Sequence, residues 1–178
     1  MPTIDVMTAP EALQWSVDNC TIQRSLEIMG DRWSLIVLRE VFQGIRRFDD
    51  MTVRTAIPRQ MLTARLRRLV DDGILRKAPY RVPGQRERHE YRLTDKGLDL
   101  YPVLIALQQW GNRYLADPAG PPIEFAHRDC GEPVELVVRC AAGHDLADSR
   151  EIVGRIGPGA VRRATAAVGA GAGVGAGE

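Results

Sequence analysis

The stretch IPRQMLTARLRRLV, from Ile57 to Val70, carries four arginines and no acidic residue in a chain whose formal net charge is only +1. Its leucines follow a different rule from its charges. Leu62, Leu66 and Leu69, with Gly73 beyond them, fall at i, i+4, i+7 and i+11, which places them along one side of a helix. Pro58 suits the first turn of that helix, and Gly73 suits its close. Arg59, Gln60, Thr63, Ala64 and Arg67 fall on the opposite side, and Arg65 and Arg68 on the flanks. The exposed face then offers two forked guanidiniums, an amide and a hydroxyl around one small residue. Arginine pairs bidentately with guanine and glutamine with adenine, and a small residue lets a helix approach the groove closely. The flanking arginines suit phosphates.

Charge along the rest of the chain sharpens this reading. Residues 54–92 hold 11 basic and 4 acidic side chains, whereas residues 1–53 hold 5 and 8 and residues 117–178 hold 6 and 9. One basic block between acidic flanks is the footprint of a polyanion contact. A solvated surface helix is the plainer alternative. Such a helix normally mixes Glu with Arg at i, i+4, and it leaves Arg86 and Arg88 of the following segment unexplained.

Outward from the basic helix, the pattern predicts a mainly α domain with a small β-hairpin. Ile22, Leu26 and Met29 mark a helix ended by Gly30. Asp31 caps a second, RWSLIVLREVFQ, apolar on more than one face and so expected to be central. A short third helix lies around RRFDDMTVRT. After the basic helix, ILRKAPYRV and RHEYRL read as two strands around a turn at Pro83 and Gly84, forming a wing tipped by Arg86 and Arg88. Thr94 and Asp95 cap a helix expected to reach Ala116, kinked at Pro102. This order is the winged helix-turn-helix arrangement. The predicted domains are an N-terminal extension (1–19), the DNA-binding domain (20–117), a small C-terminal hairpin region (118–158) built from IEFAH and PVELVVR, and a disordered Gly/Ala tail (159–178).

With 44% apolar and 26% charged residues the chain can bury a core. The N-terminus lacks the order of a signal peptide, so a cytoplasmic protein without a membrane partner is expected. Three cysteines, an odd number, argue against a secreted disulfide framework.

Residues from about Cys20 to Ala116 resemble the HxlR-type regulators, relatives of the MarR-type winged-helix proteins. The match is carried by CTIQRSLEIMGDRWSLIVLREVFQGIRRFDD, MLTARLRRLVDDGIL and EYRLTDKGLDLYPVLIALQQWG. Its ordered positions include Gly30, Asp31, Trp33, Gly44, Phe48, Leu66, Gly73, Thr94, Gly97 and Trp110. The resemblance implies a homodimeric transcriptional regulator of double-stranded DNA, with two recognition helices and two wings on a roughly palindromic operator. It also implies that the first and last helices of the domain build the dimer. The wing RVPGQRERHEY is about two residues longer than the family pattern. Operator, effector and the sign of regulation are not legible.

Two clusters offer other chemistry. Cys20, with Arg24 one turn on, suits a redox-sensing thiolate, as in some relatives, or a small residue packed in an interface. His127 and Cys130, then Cys140 and His144, supply four zinc-type ligands, yet Gly143 stands where similar tails carry a cysteine. Cys130 and Cys140 equally suit a metal-free hairpin. A thiol- or zinc-based sensor or enzyme is therefore the alternative function. No catalytic constellation emerges, so no enzyme and no cofactor are expected.

Overall fold

The computed structural model describes residues 7–84 and 86–163. Its helices and strands run α1 (Ala9–Ala12), α2 (Thr21–Met29), α3 (Arg32–Phe42), α4 (Phe48–Thr55), α5 (Arg59–Asp71), β1 (Leu75–Tyr80), β2 (Arg88–Leu93), α6 (Asp95–Leu98) and α7 (Tyr101–Leu115). They divide between two units. One spans 21–147, and the other joins residues 7–20 with residues 148–163.

The larger unit is organised by α3. Asp31 caps it, accepting from the backbone N–H groups of Trp33 at 3.1 Å and Ser34 at 3.0 Å. Val37, Leu38 and Val41 on its inner face are buried with Met51, Ile57, Leu62, Leu66, Leu69, Ile74 and Leu75 in one cluster. Each such side chain contributes about 1.5–3 kcal/mol of burial. Leu62, Leu66 and Leu69 have no exposed surface, which confirms the leucine stripe of α5. Between α4 and α5 the chain turns at Ala56, in the left-handed region at φ 53°, and sinks Ile57 into the core.

A Schellman motif ends α5. The Ile74 N–H donates to the Leu69 carbonyl at 2.9 Å and the Gly73 N–H to Val70 at 3.0 Å. This geometry needs the positive φ of Gly73, 70°. The same turn anchors the start of α6. The Thr94 hydroxyl donates to the Gly73 carbonyl at 2.7 Å and accepts from the Gly97 N–H at 3.1 Å. A Cβ on Gly97 would lie 2.3 Å from the Ile74 carbonyl oxygen, so only glycine lets these elements approach.

β1 and β2 form a two-stranded antiparallel sheet, with Leu75 opposite Leu93 and Tyr80 opposite Arg88. Arg47 adds a bridge to Glu90, and the Tyr91 N–H donates to the Arg46 carbonyl at 2.8 Å. The wing is thereby stitched to the residues that lead into α4.

Three expectations are corrected. The helix expected from Asp95 to Ala116 is two helices, because Pro102 has no N–H to offer the Leu98 carbonyl and stands instead in the first turn of α7. The C-terminal hairpin is reduced to two bridged loops. Phe125 and Val134, then His127 and Glu132, share hydrogen bonds of 2.8 Å around an Ala126–Pro133 bridge, and Arg139 bridges Asp145 in the second loop. Beyond Pro133 the backbone is engaged by a side chain of α7: Gln109 Nε2 donates to the Val134 carbonyl at 2.9 Å, and its Oε1 accepts from the Leu136 N–H at 3.3 Å. The tail expected to be disordered from 159 is paired in its described part: the Ser16 N–H donates to Val161 at 2.7 Å and the Arg163 N–H to Gln14 at 2.8 Å. Residues 164–178 of that tail, and 1–6 of the N-terminal extension, lie outside the described residues. The short α1 has no counterpart among the expected elements.

Candidate nucleic-acid interface

Because the leucine stripe holds one side of α5 against α3, its other side is left to solvent. Arg59, Gln60, Thr63, Ala64 and Arg67 are exposed and line one shallow concavity with Phe48, Arg68 and Asp71. The Arg67 side chain is 84% exposed and only loosely paired with Asp71, at 3.7 Å, so it is free to meet a ligand. The Thr63 hydroxyl donates to the Arg59 carbonyl at 2.8 Å, which leaves it only its methyl and its acceptor lone pairs for a ligand.

Asp49 joins the elements of this surface. One carboxylate oxygen lies 3.2 Å from Arg59 of α5, and the other 3.0 Å from Arg88 of the wing. The Arg59 guanidinium also sits 4.7 Å above the Phe48 ring, a cation–π contact that fixes its direction. Arg47 lies 4.3 Å over Tyr80, so α4 and the wing are held together on both edges. Arg86 is exposed near the wing tip and His89 is exposed on β2.

The flanking arginines also make contacts within the fold. Arg65 is only 24% exposed and its Nε lies 3.2 Å from Asp31, so it fastens α5 to the cap of α3. Arg68 donates to the Glu27 carbonyl at the end of α2 and lies 3.6 Å from Asp72. Burial alone would raise the Asp31 carboxyl. Hydrogen bonds from Ser34, the Arg65 charge and the Trp33 N–H outweigh it and hold the group below the usual aspartate range.

Sequence reasoning missed Asp49, Asp31 as a partner for Arg65, and Glu40. Glu40 has no exposed side-chain surface and is flanked by Arg39 at 2.8 Å and Arg54 at 2.7 Å. This ion pair ties α3 to α4, and with it the helix that precedes α5.

No cysteine, and neither His127 nor His144, lines this concavity. Cys20 is a partly buried free thiol in the smaller unit. His127 Nδ1 lies 3.1 Å from Cys130 Sγ, and His144 Nδ1 lies 3.5 Å from Cys140 Sγ. These are two pairs. Among the described residues no three His, Cys, Asp or Glu side chains gather as a metal would need.

A helix pair crossed by an outward-facing basic helix, flanked by a two-stranded wing, defines a winged helix-turn-helix DNA-binding regulator. Comparison with known proteins agrees. A model of the HxlR-like helix-turn-helix family matches residues 28–119, and the chain belongs to that family. Uncharacterized HTH-type transcriptional regulators of Mycobacterium bovis and Mycobacterium tuberculosis are each 42% identical over 139 residues, 78% of this chain and 87% of theirs. The solved structure of PA1607, described as a candidate transcription factor, superposes with TM-score 0.68 at 36% identity, covering 79% of this chain and 96% of that one. PA1374 of Pseudomonas aeruginosa, described in the same terms, gives 0.54 at 36% identity over 80% and 95%. Among the described residues no helix is long and apolar enough to cross a membrane.

Proposed function

We propose that the protein is a sequence-specific regulator, working in the cytoplasm as a homodimer, whose two α5 helices read a roughly palindromic operator. The observation that carries this is the outer face of α5, where Arg59, Gln60, Thr63, Ala64 and Arg67 stand exposed together. Arg67 and Gln60 suit base edges, Arg59 is aimed by Phe48 and Asp49, and Arg86 and Arg88 suit phosphates or the adjacent minor groove.

Two exposed apolar stripes support the dimer. On α7, Val103, Leu107, Trp110 and Tyr114 lie at i, i+4, i+7 and i+11 with 49%, 51%, 56% and 59% exposure. On α2, Ile22 and Leu26 are 71% and 58% exposed. A contiguous apolar face of this kind calls for a partner, and a second copy related by a two-fold axis offers the same face in return. Two α5 helices so related read an inverted repeat, with half-sites spaced by about one helical turn of DNA, roughly 34 Å, or a multiple.

The test is selection of duplexes from a random pool by the full-length protein. Enrichment of an inverted repeat supports the reading. Absence of any enriched sequence, with binding no tighter than to bulk DNA, contradicts it.

A further inference from the structure

Two turns of the chain beyond α7 carry side chains that the basic face of α5 leaves unused. In the first, the His127 N–H donates to the Glu132 carbonyl at 2.8 Å and the Gly131 N–H to the His127 carbonyl at 2.8 Å. In the second, the Cys140 N–H donates to the His144 carbonyl at 3.0 Å and the Gly143 N–H to the Cys140 carbonyl at 2.9 Å. Gly131 and Gly143 both take positive φ, 74° and 88°, which lets each turn close on itself. Each closed turn presents one imidazole and one free thiol.

The spacing within each pair is that of two ligands on one ion. Nδ1 of His127 lies 3.1 Å from Cys130 Sγ, and Nδ1 of His144 lies 3.5 Å from Cys140 Sγ. Zinc bonds of about 2.3 Å to sulfur and about 2.0–2.1 Å to nitrogen, at a tetrahedral angle, separate the two atoms by roughly 3.6 Å. The other ring nitrogen of His127 faces Asp129 Oδ2 at 3.9 Å, the side on which a metal-bound histidine finds its orienting carboxylate. A thiol–imidazole hydrogen bond would account for either pair alone. It does not account for the same pairing arising twice, with nine residues between the cysteines. Two thiols and two imidazoles suit zinc, whereas magnesium and calcium take oxygen.

Both turns flank a segment that Gln109 of α7 anchors through the Val134 carbonyl and the Leu136 N–H. The two pairs stand separately, so a shared ion must bring one turn to the other. No residue from 126 to 147 is buried, and that closure therefore disrupts no core packing.

We propose that His127, Cys130, Cys140 and His144 bind one zinc ion, which draws the two turns together. Four protein ligands leave no position for water, so the ion is structural and staples the chain beyond α7. Binding releases the two thiol protons to solvent, and affinity rises with pH. The site stands whether or not α5 reads DNA.

The experiment uses reduced full-length protein, freed of metal by a chelator and titrated with Co²⁺ and then with Zn²⁺. One Co²⁺ per chain should give the visible bands of tetrahedral cobalt and an ultraviolet thiolate-to-metal band, and zinc should displace it. Cys130→Ser and Cys140→Ser should each weaken zinc binding by roughly 100-fold or more and diminish the thiolate band. Asp129→Asn should weaken it about 10-fold or more with the spectrum kept. Cys20→Ser should change nothing. Melting curves of the metal-free proteins should superpose, which separates a lost site from a lost fold. Zinc should slow amide hydrogen exchange across 127–144 in the wild type and in neither Cys130→Ser nor Cys140→Ser. The proposal is overturned by the absence of a tetrahedral cobalt spectrum, or by a site that survives either of those two cysteine variants. Two ions per chain, each lost with one pair alone, would likewise overturn it, as would one ion shared between two chains.

Discussion

Arg88 of the wing reaches Asp49 of α4, its Nη1 3.0 Å from Oδ2, across 39 positions of sequence. The other oxygen of that carboxylate faces Arg59 of α5 at 3.2 Å. One acid thus holds a wing arginine and a helix arginine in fixed relation before DNA arrives. With DNA on this face, Asp49 would also place a negative charge beside a polyanion. Asp49→Ala should therefore tighten binding to random duplex and loosen discrimination, so the ratio of specific to random affinity falls. Paired titrations on selected and scrambled duplexes check this, and a ratio that stays constant would show that Asp49 positions nothing.

The wing should contribute affinity rather than sequence reading. Arg86 is exposed near its tip, whereas Arg88 is already partly neutralised by Asp49. Each DNA phosphate that a side chain ceases to neutralise changes the slope of log K against log salt by roughly 0.9. Arg86→Ala together with Arg88→Ala should flatten the slope by about one such step, with base preference unchanged. A change near two steps would mean that Arg88 leaves Asp49 on binding, and an unchanged slope would remove the wing from the interface.

The Asp31–Arg65 contact should appear in acid stability. Burial pushes the Asp31 carboxyl up, but the Ser34 hydrogen bonds and the Arg65 charge outweigh it and leave the group depressed in the folded protein. Its contribution is therefore complete above the unfolded value, about 3.9, and is lost as pH falls through the lower folded value. Asp31→Ala also deletes the α3 cap, so it should cost about 1–2 kcal/mol at neutral pH. Urea unfolding from neutral pH down into the acid range should show the gap to wild type narrowing below about pH 4. A gap independent of pH would deny Asp31 any depressed titration.

Trp110 lies midway along the exposed stripe of α7, 56% exposed and tilted against Tyr114 with 5.4 Å between the rings. Trp110→Asp should give a folded monomer with weaker operator binding, measured by sedimentation and by DNA titration. Wild-type protein that sediments as a monomer at micromolar concentration would refute the dimer.

What the sequence displayed and what it concealed divide along physical lines. The stripe of Leu62, Leu66 and Leu69, the glycine at 73 and the alternation around Tyr91 depend on local geometry, so spacing alone reveals them. The partners of Arg65 and Arg68 do not: periodicity puts both on the flanks of α5, and only the packing of α3 turns Arg65 toward Asp31 and that of α2 brings the Glu27 carbonyl to Arg68. Asp49 was invisible for the same reason, since its partners Arg59 and Arg88 come from two other elements. PVELVVR reads as half of a hairpin, but its Val134 carbonyl and Leu136 N–H are taken by the Gln109 side chain of α7, a partner no local pattern announces. The pairing of Val161 and Arg163 with residues 14–16 is backbone to backbone, and a glycine- and alanine-rich composition carries no trace of it.

Arg67 decides whether the exposed face of α5 reads DNA sequence. The measurement is the affinity of wild type and Arg67→Ala for the selected operator and for scrambled duplex, across a salt series. Removing one bidentate base interaction should cost about 1–3 kcal/mol on the operator and relax preference at one base pair, with random binding reduced far less. Equal loss on both duplexes would make Arg67 a phosphate contact. No loss on either would contradict the account, because the most exposed arginine of the recognition helix would then take no part in binding.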